Sequence, residues 1–187
     1  MPGDGRRYAP VDAPAWPVKQ TVTEYETSWY TGGYDDVVHP DGSQKRYYWA
    51  ELAVAVVIVA IDDGTVICVE QYRPTIRQRQ LELPAGIVER GESYVDAGRR
   101  ELEEETGHLA GSVQELQRVW CATGVLRHER AYVVATDLEV TQQQLDANEF
   151  LTVRPVAVED VLAEARRTPT NEATIEGLLL AKEDGYL

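Results

Sequence analysis

Lysine is nearly absent from this chain. Lys19, Lys45 and Lys182 stand against fifteen arginines, and 32 acidic residues outnumber 18 basic ones to leave a formal net charge of −14. Non-specific nucleic-acid binding relies on clustered cations that displace counterions from phosphates, so this composition argues against it. A polyanionic substrate would need a metal ion or a local group of arginines. Acid excess with so little lysine matches proteins of salt-accumulating organisms, whose hydrated acidic surfaces keep them soluble. Halophilic character is therefore expected, with GC-rich coding as the alternative, since it favours Arg over Lys.

Cysteine is scarce too. Cys68 and Cys121 form no CxxC pair and sit in apolar strand-like runs, which predicts buried free thiols. The opening stretch MPGDGRRYAPVDAPAWP has no apolar h-region, and nowhere do 18 apolar residues follow one another. A soluble cytoplasmic protein without membrane contact is expected. No internal repeat is visible. Hydrophobic residues make up 43% of 187, enough for the core of one domain with an added sheet or arm.

Residues 1–18, rich in Pro, Gly and Ala, predict a flexible arm. Residues 19–49 read as β elements, with TVTEYETSWY as a strand and HPDGS as a turn. The long region KRYYWAELAVAVVIVAID follows, and its apolar stretch Leu52 to Ile61 predicts a strand buried on both faces. DDG at 62–64 turns it into TVICVEQYR. RQLELPAG predicts a short strand, and a helix is expected over 93–106, opened by Ser93 and Asp96 and closed by Gly107. Strands near 114–122, 130–137 and 150–158 precede helices near 158–167 and 170–183. The pattern is α/β or α+β, a mixed sheet with helices on its faces.

The helix holds the chemistry. Glu101, Glu104 and Glu105 fall at i, i+3 and i+4 and share one face, while Glu103 points elsewhere. Two carboxylates about 5.5 Å apart repel by about 3 kcal/mol at an effective dielectric near 20. Water offsets this on an open face; a divalent cation offsets it in a cleft. The preceding loop LPAGIVERGES can aim oxygens back at the helix, and hard oxygen ligands suit Mg²⁺ or Mn²⁺.

Gly86, Glu92, Arg100, Glu101, Leu102, Glu104, Glu105 and Gly107 resemble the Nudix hydrolase signature, eight fixed positions within 23 residues. His108 departs from it where the family has an apolar residue. The resemblance implies a Nudix-type α/β/α sandwich on a mixed sheet over residues 50–187, with an N-terminal antiparallel sheet. It implies hydrolysis of a diphosphate bond with Mg²⁺ or Mn²⁺ as cofactor. Glu101 and Glu105 would be metal ligands, with Glu104 a further or water-mediated one and the carbonyl of Ala85 completing the set. Arg100 and Glu92 would orient helix and loop, and Gly98 would let the helix sit close on the sheet.

EQYR, LELPAG and the long N-terminal section resemble the ADP-ribose pyrophosphatase branch, which exchanges its N-terminal elements across a homodimer. That resemblance implies a nucleoside diphosphate sugar substrate. Arg73 is the candidate for a diphosphate contact and Glu82 for substrate or a second metal. Arg46 with Trp29 or Trp49 could bracket an adenine ring. CATGVLRHE has Thr123 where the branch often carries Pro, so the substrate is less defined than the class; His128 reads as a loop charge. Glu149, on a loop before a strand, is the candidate general base, with Glu129 the runner-up. The alternatives are a hydrolase of nucleoside triphosphates or dinucleotide polyphosphates, and a non-catalytic nucleotide sensor.

Overall fold

The computed structural model describes residues 15–167 and 169–187. Residues 1–14 of the expected arm lie outside the described residues. From Val18 the chain is already paired, opposite Val37. The chain divides into two compact units, one holding the residues through Val54 together with Trp120–Glu129, the other Ala55–Val119 and Arg130–Leu187.

The smaller unit is a four-stranded sheet in the order β1-β2-β3-β9, from β1 (Val18–Glu26), β2 (Tyr30–Val38), β3 (Gln44–Leu52) and β9 (Leu126–Arg127). The first three strands run antiparallel, and β9 pairs parallel to β3. The expectation of a unit confined to 19–49 missed Trp120–Glu129. A strand of two residues leaves too short a pattern for periodicity to register.

The larger unit carries a mixed sheet in the order β11-β5-β4-β10-β8, with β6 on β5 and β7 on β4. These are β4 (Ala55–Asp62), β5 (Thr65–Arg73), β6 (Gln78–Glu82), β7 (Ala85–Ile87), β8 (His108–Trp120), β10 (Glu129–Val140) and β11 (Leu151–Ala157). Asp63 (φ 39°) and Gly64 (φ 79°) form the two-residue turn between β4 and β5, whose positive φ values match the twist of a hairpin. The continuous apolar run splits as the period of two demands. Val56, Ile58 and Ala60 pack with Ala97 and Leu102 of α1 (Tyr94–Thr106), whereas Val57 and Val59 pack with α2 (Val158–Ala165) and α3 (Glu172–Glu183). Helices on both faces make an α/β/α sandwich.

Two expectations are corrected. The long strand region is two strands, β3 and β4, broken at residues 53–54. β8 begins at His108 and not near 114; Gly111 and Ser112 interrupt the apolar pattern, although Ala110 and Val113 are both buried. Cys68 and Cys121 are buried and joined in no disulfide, as expected. Among the described residues no helix is long and apolar enough to cross a membrane.

Candidate active site

Local sequence places α1 tightly. Ser93 caps it with extended backbone and accepts a bond from Asp96 N, and Gly107, left-handed at φ 67°, donates its N–H to Glu103 O. Gly98 sits against β10. A Cβ there would lie 2.8 Å from Val133 Cγ2, so only glycine permits this approach.

Arg100 ties loop to helix. Its Nε and Nη2 donate to the two oxygens of Glu92 at 3.0 Å each, and Nη2 also donates to the Ile87 carbonyl at 2.9 Å. Its Nη1 donates to Glu101 at 2.8 Å and Glu104 at 3.0 Å. The pairing holds the Glu92 carboxyl below its ordinary range and the guanidinium above its own. The expected Arg100–Glu92 pair is present, and Arg100 does more than expected by bridging the acidic face itself.

Glu101 and Glu105 are buried, at 8% and 5% exposure. Glu101 rests on the backbone of Gly86, where a Cβ would fall 1.9 Å from its Cδ. Glu105 accepts the N–H of Ala85 at 3.0 Å. Burial pushes the Glu105 carboxyl up to about 8, with Glu101 and Glu149 adding to the rise and the Ala85 bond and Arg73 opposing it. Glu101 is raised for the same first reason, and Glu149 again contributes. Glu149 sits on the loop before β11, where its side chain accepts from Asp146 N. Its charge contributes to the rise of both the Glu101 and the Glu105 carboxyl.

Buried hard oxygen donors, whose carboxyls are raised by burial and by one another's charge, are what a divalent cation fits. The side chains do not form a closed cage: among the described residues no three acidic, His or Cys groups are gathered at metal spacing. Glu105 is held by Ala85, and Arg100 spans Glu101 and Glu104.

Arg73 and Glu82 meet on the same side of the sheet. Arg73 Nε donates to Glu82 Oε1 at 2.9 Å and Nη2 to Oε2, while Gln71 adds a bond at 3.2 Å. Glu105 acts on Arg73 as well. These candidates therefore form one constellation with α1.

The smaller unit corrects the aromatic bracket. Arg46 and Trp49 are three apart on β3, which sends them to opposite faces. Arg46 instead stacks over Tyr34 at 3.6 Å and pairs with Asp36, and Trp49 lies under Arg127 at 3.9 Å. Trp29 is 74% exposed. His128, expected as a loop charge, is buried. An open cavity of about 700 Å³ is lined by Trp120, Thr123, Arg127 and Glu129. Sequence reasoning missed Trp120 and Arg127. No periodicity marks a tryptophan at a strand end, though an arginine beside the departure at Thr123 was a usable signal.

The NUDIX domain family model matches residues 51–177. The chain belongs to the Nudix hydrolase family. The ADP-ribose pyrophosphatase of Bacillus subtilis (strain 168) is 32% identical over 131 residues, covering 68% of this chain and 71% of the relative. The methanol dehydrogenase activator of Bacillus methanolicus is 30% identical with the same coverage. The ADP-sugar pyrophosphatase of Mus musculus is 42% identical over 73 residues, 39% of this Nudix chain and 33% of that protein. A crystal structure of an ADP compounds hydrolase superposes with a TM-score of 0.82 at 23% identity, over 94% of this chain and 99% of the other, and supports the fold.

Proposed function

We propose that this Nudix chain hydrolyses the diphosphate bond of ADP-ribose or a related nucleoside diphosphate sugar, giving a nucleoside monophosphate and a sugar phosphate. The observation that carries it is the buried Glu101–Glu105 pair on its Gly86 and Ala85 supports. Similarity to proteins named ADP-ribose and ADP-sugar pyrophosphatase supports the substrate class.

Glu101, Glu105, Glu104 and the carbonyl of Ala85 would hold Mg²⁺ or Mn²⁺, which supplies Lewis-acid polarisation of a phosphoryl oxygen and a more acidic water. Arg100 keeps Glu101 and Glu104 on one face until the cation is bound, and its grip on Glu92 and Ile87 fixes the loop. Glu149 takes the proton of the attacking water; Glu129 is the runner-up. Arg73, oriented by Glu82, presents its guanidinium to the diphosphate. The cavity at Trp120 and Arg127 offers aromatic and cationic surface suited to a nucleobase, a role expected at Arg46 and Trp29.

Exposed Trp29, Tyr25 and Tyr48 on the smaller unit suit a homodimer contact. Buried cysteines outside any disulfide fit a cytoplasmic setting. The test is turnover of a nucleotide panel with Mg²⁺ and with Mn²⁺, at low and high salt. Release of AMP from ADP-ribose is expected. Turnover of nucleoside triphosphates alone would favour the other hydrolase class, and binding without turnover would favour a sensor.

A further inference from the structure

A second group of charges lies on the other face of the sheet. Glu70 of β5 pairs across the strands with Leu81 of β6, and the residues that follow each of them, Gln71 and Glu82, turn towards Arg73 and α1. On the Glu70 side there is a cavity of about 230 Å³ lined by Glu70, Arg79, Leu81, Arg154, Glu164 and Arg167. The three arginines come from β6, β11 and the segment after α2.

Their charges alternate in space. Arg79 lies 3.8 Å from Glu70, Arg154 bridges Glu70 at 3.1 Å and Glu164 at 3.6 Å, and Arg167 reaches Glu164 at 2.7 Å. Three guanidiniums face two carboxylates, so the wall carries an excess positive charge within a chain of −14. Each guanidinium carries five N–H donors, more than two carboxylates can take up at once. Two of the contacts are close, Arg154 to Glu70 at 3.1 Å and Arg167 to Glu164 at 2.7 Å, while those of Arg79 to Glu70 and of Arg154 to Glu164 are longer. Arg79 and Arg167 are 68% and 75% exposed.

We propose that this cavity binds a small phosphomonoester of the sugar-phosphate class. Guanidiniums arranged at three points can grip phosphate oxygens by paired N–H bonds, which a carboxylate of the protein does not fully use. The volume falls below the range of pockets that enclose drug-sized ligands, which excludes a whole nucleoside diphosphate sugar. Leu81 in the wall gives a carbon skeleton something to pack on. The helix end at the rim is the C-terminus of α2, whose dipole opposes an anion, so the attraction comes from the arginines alone. The ligand class coincides with one product of the proposed hydrolysis, but the site stands on its own residues.

The test is calorimetric titration of the full chain in low salt with EDTA, at about pH 8, where a phosphomonoester is a dianion. The probes are ribose 5-phosphate, inorganic phosphate and free ribose. Ribose 5-phosphate should bind, inorganic phosphate more weakly, and ribose not at all. The double variant Arg79→Gln/Arg167→Gln changes only exposed side chains and should weaken ribose 5-phosphate by about tenfold or more. Glu105→Gln should leave that affinity unchanged. No binding up to about 10 mM overturns the proposal. So does affinity insensitive to the double variant, affinity lost in Glu105→Gln, or equal affinity for phosphate and ribose 5-phosphate. None of these outcomes depends on turnover, so they are separable from failure of the hydrolase assignment.

Discussion

Glu105 carries the most consequence for its size. Its carboxyl is held near 8 in the fold against an ordinary value of 4.5, chiefly by burial. Between those values the folded protein keeps a proton that the unfolded chain has released, so metal-free stability falls as pH rises across that window. The expected loss is on the order of a few kcal/mol. Thermal melts in EDTA from about pH 4.5 to 8 should show a shallower slope for Glu105→Gln, since the amide cannot ionise. Equal slopes would mean that burial of this carboxylate is less severe than the geometry implies. The same variant should cut turnover by orders of magnitude, because a ligand charge is lost while shape is kept. Glu149 makes a different prediction. Glu149→Gln should lower kcat by about 10²–10⁴ with KM nearly unchanged, as befits a group acting in the transition state. Steady-state kinetics decides it, and the same pattern in Glu129→Gln would move the base there.

At the scale of elements, α1 is held by caps that any capable reading of the sequence would find, and by a contact that it would not. Ser93 and Gly107 announce the helix ends. The closeness of Gly98 to Val133 depends on β10, more than thirty residues away in the chain. Gly98→Ala therefore sets two effects against each other. Alanine favours a helix by about 1 kcal/mol, but its Cβ would be 2.8 Å from a methyl of Val133, which is fully buried. Overpacking costs about 1–3 kcal/mol and should win. Chemical denaturation should show a less stable variant. A more stable one would mean that α1 can lift from the sheet, and Glu101 and Glu105 would then not be rigidly placed. Strand β11 shows the converse case. Its Pro155 is tolerated because β11 is the edge of its sheet.

For the whole molecule, 32 acidic against 18 basic residues imply self-repulsion that salt relieves. At about 1 M salt the Debye length is only about 3 Å. Melting temperature should rise through a KCl series, and a flat response would count against halophilic character while leaving the site untouched. Assembly gives a second test. Deleting residues 1–45 removes β1 and β2 and should abolish both dimerisation and turnover if that sheet serves a partner. A fully active monomer in light scattering would end the exchanged-arm proposal.

Read alone, the sequence determined the α/β class, the carboxylate helix with its ends, and the Nudix signature at Gly86, Arg100, Glu101 and Glu105. These are local: periodicity, capping and fixed spacing act within a few turns of chain. It also placed Glu149 on the loop before β11. Tertiary structure decided what lies across from what. Arg100 became the clasp of the acidic face, Arg73 became the partner of Glu82, and Trp49 went to Arg127 instead of Arg46. It also moved Trp120–Glu129 into the smaller unit and gathered Arg79, Arg154 and Arg167 around one cavity. Strand pairing brings together residues far apart in the chain, and the period of two then assigns each to a face. Neither register nor neighbouring strand is written in a local pattern, so these contacts became legible only in the fold.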